Sequence, residues 1–172
     1  MSSATAPPSG LLRRFLDLQY RFYDRARHRR AGQVAAAPGR HGPFDELGES
    51  GYLLLVTFKG GGRPVPTPVM FSQRDGRLYL RSEPRAWKVR RIRRDPHVRV
   101  ARCNARGKPL SPVYEGRARE LPPEEHERAR RVLREGYSFG IRLYEGAADR
   151  LPVALTYVEV SPVEQGAAPE SS

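Results

Sequence analysis

A chain of 172 residues has room for one ordinary domain, and its 31 Lys and Arg against 19 Asp and Glu give a formal net charge of +12. The single cysteine excludes an internal disulfide, and the four histidines lie too far apart in sequence for a local metal-ligand pair. The longest apolar run, Tyr52 to Phe58, is much shorter than the ~20 residues of a membrane span, and no secretory-signal pattern opens the chain, so we expect a cytoplasmic protein.

Organisation changes along the chain. Residues 1–10 are rich in Ser, Ala and Pro and are predicted to be disordered, as is the polar tail at 163–172. Residues 11–30 place apolar side chains at helical spacing between seven arginines, which predicts an amphipathic basic helix. Residues 31–43 have the Ala, Gly and Pro content of a linker. The main domain is predicted over 44–162.

From Phe44 onward, strand patterns separated by tight turns dominate. The predicted strands are Tyr52 to Lys59, Pro64 to Ser72, Arg77 to Ser82, His97 to Cys103, Val113 to Leu121 and Val153 to Val160. Short helices are predicted from Ala86 to Arg94, ended by Asp95-Pro96, and from Pro122 to Glu135. No crossover helix separates the first three strands, so the pattern favours a mainly β protein, a barrel or a sandwich of antiparallel strands.

A second basic stretch, residues 81–102, contains eight arginines and one lysine against two acidic residues. Arg81 and Ser82 end a strand, and Lys88 lies at the start of the next helix. Cations, a hydroxyl and backbone N–H groups can therefore converge on one anion, and this combination suits a phosphate.

Helical periodicity divides this basic helix into faces. Val89 and Ile92 form the predicted buried stripe, with Lys88 and Arg91 on the flank that we assign to the ligand. The remaining arginines of the helix are predicted to be exposed to solvent: Arg90, Arg93 and Arg94.

Motifs of covalent catalysis are missing from the sequence. No serine lies in a Gly-x-Ser-x-Gly elbow, and neither paired carboxylates nor a His-x-x-x-His pattern occurs. No catalytic side chain is assigned. A bound redox cofactor would supply reactivity, leaving the protein to bind and orient it.

Four ordered motifs carry a family resemblance. They are Tyr52-Leu-Leu-Leu-Val-Thr-Phe, Gly62-Arg-Pro-Val-Pro-Thr-Pro-Val69, Arg77-Leu-Tyr-Leu-Arg-Ser82 and Lys88-Val-Arg-Arg-Ile-Arg-Arg-Asp-Pro96. Together they resemble the pyridoxamine-5′-phosphate-oxidase-like (PPOX-like) split-barrel superfamily over about residues 46–162. The nearest likeness is to its branch of oxidoreductases that depend on the deazaflavin coenzyme F420.

The resemblance implies a homodimer of six-stranded antiparallel split barrels, with F420 in a groove at the dimer interface and direct hydride transfer to a small unsaturated or oxidised substrate. It matches Lys88 to the phosphate-binding lysine and Arg81 and Ser82 to strand-end phosphate contacts. It matches Thr67, Pro68 and Val69 to the strand beside the cofactor ring.

Trp87 departs from the pattern, because flavin-using relatives often have arginine there. We consider two roles for its side chain, ordinary packing and stacking on the cofactor.

Two alternatives remain open at the level of sequence. The first keeps the fold and uses FMN, as an oxidase or a reductase. The second is not enzymatic: the basic helix at 11–30 could bind nucleic acid or an anionic membrane surface, since arginines beside apolar side chains suit both.

Overall fold

The computed structural model describes residues 36–136 and 154–164, together with residue 32. The predicted N-terminal segments at 1–10 and 11–30 lie outside these residues, as do most of the first half of the linker and residues 165–172 of the predicted tail. Within the described part of the chain, no helix has both the length and the apolar character needed to cross a bilayer.

Six antiparallel strands close into a barrel in the order β1-β2-β3-β6-β5-β4. The strands are β1 (Ser50–Phe58), β2 (Pro64–Arg74), β3 (Arg77–Ser82), β4 (His97–Cys103), β5 (Tyr114–Glu120) and β6 (Thr156–Pro162). The helices are α1 (Trp87–Arg94) and α2 (His126–Gly136), and short 3-10 turns occur at Asp45–Leu47 and Pro123–Glu125. The predicted class, a mainly β antiparallel split barrel with peripheral helices, is confirmed.

The first strand is buried on both faces. Leu53 and Leu55 lie in the main core, whereas Leu54 and Val56 belong to a second apolar cluster on the other face of the sheet. A strand buried on two sides has no polar face to alternate with its apolar one, which explains the continuous apolar run in the sequence.

Helix α1 packs its apolar stripe into the main core. Val89 and Ile92 are buried among the strand residues of that core, as their spacing predicted. The helix ends at Arg94, because Asp95 before Pro96 adopts an extended backbone with φ −139° and ψ 105°.

Strands β2 and β3 separate soon after their shared turn. Their ladder has the pairs Ser72 with Tyr79, Gln73 with Leu78, and Arg74 with Arg77. Beyond it, β2 continues on β1 as far as Pro64, while β3 continues on β6 as far as the pair of Ser82 with Thr156. The divergence leaves Thr67, Pro68 and Val69 on one side of the split and Arg81 and Ser82 on the other.

Residues at the end of the predicted linker are hydrogen-bonded to the barrel. The Arg40 N–H donates to the Val113 carbonyl at 2.7 Å, and the Glu115 N–H donates to the Arg40 carbonyl at 2.8 Å. The Gly39 N–H donates to the Glu115 carboxylate at 2.7 Å. A Cβ at position 39 would lie 2.8 Å from the Glu115 nitrogen, so this close approach requires glycine.

Candidate functional site

Ser82 ends β3 with its side chain buried. The residue is 7% exposed, and its Oγ has no hydrogen-bond partner among the described residues. An unsatisfied buried hydroxyl costs about 1–3 kcal/mol, and a ligand oxygen that reached this atom would supply the missing partner.

The first turn of α1 begins five residues later, at Trp87. Ala86 is its N-cap residue, has an extended backbone and supplies no side-chain cap. The N–H groups at a helix N-terminus lack partners within the helix and carry the positive end of its dipole. An oxyanion fits this end better than a neutral group does.

Lys88 lies in this first turn and is half-buried. Burial lowers the pKa of its ammonium group, and the nearby charge of Arg91 lowers it further, while the carboxylate of Glu83 acts in the opposite direction. A buried cation that is incompletely compensated gains from a bound anion. Lys88 and the first-turn N–H groups of α1 therefore form a cationic environment that suits a phosphate group.

Arg81 precedes Ser82, so its side chain extends from the opposite face of the strand. Successive strand residues alternate between faces, so Arg81 shares its face with buried Tyr79 and pairs in register with Tyr157 of β6. The structure brings the charge of Arg81 to the strand end without aligning its side chain with that of Ser82.

The other arginines of α1 contact the barrel more than the sequence predicted. Arg91 Nε donates to Thr57 Oγ1 at 2.7 Å, and Arg94 Nη2 donates to the Phe58 carbonyl at 2.7 Å, both on β1. Arg93 forms two hydrogen bonds with the Glu120 carboxylate on β5, one of them at 2.8 Å. Arg93 and Arg94 are exposed as predicted, yet both attach the helix to strands.

Trp87 is not part of the core. Its side chain is 68% exposed, and the Arg90 guanidinium carbon lies 4.5 Å from the ring centroid. This cation–π contact leaves the indole at the surface beside the first turn of α1.

The predicted ring-side residues on β2 do not share one environment. Val69 is buried in the main core, whereas Thr67 and Pro68 are half-buried. Pro68 lies beside the turn after β4, since its Cγ would be 3.0 Å from a Cβ placed on Gly107. Pro68 therefore faces a different neighbour from the core residue that follows it.

Two polar residues with defined roles were missed by sequence reasoning. Thr57 is buried at 1% exposure and accepts the Arg91 bond; the signal for it was a lone hydroxyl in an apolar run. Glu115 accepts from His97 at 2.6 Å and from Arg99 at 2.8 Å, contacts that no local pattern predicts. Across the described ranges, no group of three or more His, Cys, Asp and Glu side chains could hold a metal ion.

Comparison with known proteins identifies the architecture. No protein-family model matches the chain, and no curated protein sequence matches it. The heme storage protein HutZ from Vibrio cholerae is 16% identical over 67% of this chain and 82% of its own, with a TM-score of 0.50. Atu2129 from Agrobacterium tumefaciens, of unknown function, is 19% identical over 74% of this chain and 58% of its own, also at 0.50.

A third similar structure is the F420-H2 dependent reductase FDR-A. It is 20% identical over 64% of this chain and 93% of its own, with a TM-score of 0.47. The chain shares its split β-barrel fold with HutZ and Atu2129. At these identities the likeness concerns the fold alone. A function has to be inferred from the residues at the end of β3 and in α1.

Proposed function

We propose that the protein is an oxidoreductase that holds the phosphate of coenzyme F420 between the end of β3 and the first turn of α1. When bound, the deazaflavin would supply hydride exchange with a small unsaturated or oxidised substrate. The family resemblance of the four sequence motifs supports the choice of F420.

One observation carries the proposal: a buried hydroxyl without a partner ends β3, and a lysine whose pKa is lowered by burial lies in the first turn of the helix that follows. Ser82 Oγ has no acceptor or donor in the described structure, and the ammonium of Lys88 has a pKa lowered by burial. Both groups are costly in the protein alone, and a phosphate would satisfy both.

The other assigned residues complete the proposed site. Arg81 adds positive charge at the strand end, and Trp87 offers an exposed ring surface beside it. Thr67, Pro68 and Val69 lie across the split on β2, where the backbone can form one wall for a flat ring. A homodimer would cover this region with a second barrel, and we propose that the cofactor lies at that interface.

Cofactor identity is tested by expressing the full chain in a host that makes both F420 and flavins. The spectrum and mass of the co-purifying molecule should be those of F420, and added F420 should change its fluorescence on binding to stripped protein. A protein that retains only FMN, and does not bind F420, would contradict the deazaflavin assignment.

FMN remains the second candidate because the same phosphate contacts serve either ring. Its prediction is a yellow protein as isolated, with flavin released on denaturation. A colourless protein that binds F420 and excludes FMN would remove this candidate.

The non-enzymatic alternative depends on residues 11–30, which lie outside the described structure. It predicts binding to DNA or to anionic vesicles that weakens steeply with salt and disappears when residues 1–30 are deleted, a deletion that keeps the Gly39 and Arg40 bonds to the barrel. Binding that survives the deletion would contradict it.

A further inference from the structure

Helix α1 has two functionally different ends. Its first turn contains Lys88, and its last turn contains the arginines that contact β1 and β5. The helix has only 8 residues, so the position of Lys88 in its first turn depends on where the last turn is attached to the barrel.

The attachment to β1 is best defined at Thr57. This residue is 1% exposed, and its Oγ1 accepts the Arg91 Nε bond at 2.7 Å. Thr57 shares the strand face of Leu53 and Leu55, which line the main core beneath α1. The bond therefore connects a half-buried guanidinium to the buried side of the sheet.

Burial makes this contact specific. A hydroxyl at this depth has few other partners, so removing the Arg91 guanidinium leaves the Thr57 hydroxyl without the hydrogen bond described here. Arg94, whose Nη2 donates to the neighbouring Phe58 carbonyl at 2.7 Å, holds the same turn on the same strand.

We infer that Arg91 and Thr57 act as a pair of positioning residues that orient α1, so that Lys88 and the first-turn N–H groups face the phosphate. The inference rests on the proposed phosphate site and deepens it. Arg91 then supports phosphate binding through Thr57, and its Nε makes no direct contact with the ligand.

The test uses Thr57→Val, which removes the hydroxyl without changing charge or much volume. Dissociation constants are measured for FMN and riboflavin, and for F420 and its chromophore without the phosphate. FMN and riboflavin differ only in the phosphate, so their ratio isolates its contribution. F420 and its chromophore differ in the phosphate and in the tail attached to it, so their ratio reports on both together.

In Thr57→Val the preference for the phosphate-bearing member should fall about tenfold, the scale of one lost charge-assisted contact. Arg91→Gln should lose at least this factor, because it also removes a positive charge that acts on Lys88. The double variant should lose no more than Arg91→Gln alone, because the bond to Thr57 is already absent in that variant. Thr57→Ser keeps the hydroxyl and should retain the preference.

An unchanged ratio in Thr57→Val, in a protein that unfolds at its normal temperature, would overturn the inference. Equal loss of both members of a pair would also overturn it, because that is a general structural effect. Wild-type protein without any phosphate preference would instead contradict the proposed site itself, which separates the two failures.

Discussion

The side chains around Glu159 and those around Ser82, near opposite ends of β3, differ in how their polar groups are satisfied. At the start of the strand, Glu159 of β6 is 2% exposed and accepts hydrogen bonds from Arg77, Tyr79 and Arg119, each at 3.0 Å. At the other end, Ser82 has no partner among the described residues, and Lys88 is only partly compensated.

The charges differ in the same way. Burial by itself would raise the pKa of Glu159, but the donors Arg119 and Tyr79 outweigh it and hold the pKa below its usual range. Lys88 has the opposite imbalance, since burial dominates and lowers its pKa. One barrel thus contains a polar cluster around Glu159 that is satisfied by neighbouring side chains, and a second region, at Ser82 and Lys88, that is satisfied only in part by the described residues.

Removing the carboxylate of the complete cluster should have the largest effect on folding. Glu159→Ala should lower the free energy of unfolding by about 2–3 kcal/mol, less than for a fully buried pair because its arginines are half exposed. Urea unfolding measures this. The exposed Glu127, which pairs with Arg130, is the control, and its alanine variant should change stability by less than about 0.5 kcal/mol. Equal losses of stability in the Glu159 and Glu127 variants would contradict a special role of the buried carboxylate.

Acid should have the next largest effect, because it protonates the carboxylates of Glu115 and Glu159. Burial alone would raise the pKa of Glu115, but hydrogen bonds from His97, Gly39 and Arg99 outweigh burial and lower the pKa. The pKa of Glu159 is lowered in the same way. A lowered folded-state pKa stabilises the protein above the unfolded value of about 4.3, and this contribution is lost as pH falls through the folded pKa. Urea midpoints should therefore fall below about pH 4, and Glu159→Gln should flatten that fall. A parallel fall in the variant would contradict this.

Replacing Lys88 should affect stability and cofactor binding differently. Lys88→Met removes a charge whose burial is unfavourable, so the free energy of unfolding should stay the same or rise. Binding of the phosphate-bearing cofactor should weaken about tenfold to a hundredfold. Calorimetric titration and urea unfolding measure the two quantities. A variant that loses stability and keeps affinity would show that Lys88 is structural.

The smallest effect is expected at the hydroxyl. Ser82→Ala should raise stability by up to about 1 kcal/mol, because a buried group without a partner is removed, and should weaken cofactor binding about fivefold. Thr156, directly opposite in the sheet, is the matched control, since its hydroxyl donates to Glu120 at 2.8 Å. Thr156→Val should lower stability. A loss of stability in Ser82→Ala would mean that its hydroxyl has a partner in the folded chain.

The strands and the buried stripe of α1 could be predicted because both depend on local periodicity. Arg77 to Ser82 and His97 to Cys103 have the predicted bounds, and Val89 and Ile92 are buried. These features follow from side-chain alternation and from turn residues at fixed spacing.

Contacts between distant residues could not be predicted in this way. Arg91 and Thr57 are 34 residues apart, and Arg77 and Glu159 are 82 apart. Their meeting depends on strand order and register, which one sequence does not specify at side-chain resolution. The exposure of Trp87 could not be predicted either, because a single aromatic at the first position of a helix belongs to no repeating pattern of apolar residues.

A phosphate site at the end of β3 requires the unmodified protein to prefer cofactors that carry the phosphate. Dissociation constants for F420 and for its chromophore without the phosphate, measured on wild type and on Lys88→Met, test it. We predict that wild type binds F420 at least about tenfold more tightly and that Lys88→Met loses most of this preference. Equal affinity of wild type for the two molecules, or a preference that survives in Lys88→Met, would contradict a phosphate site at the end of β3.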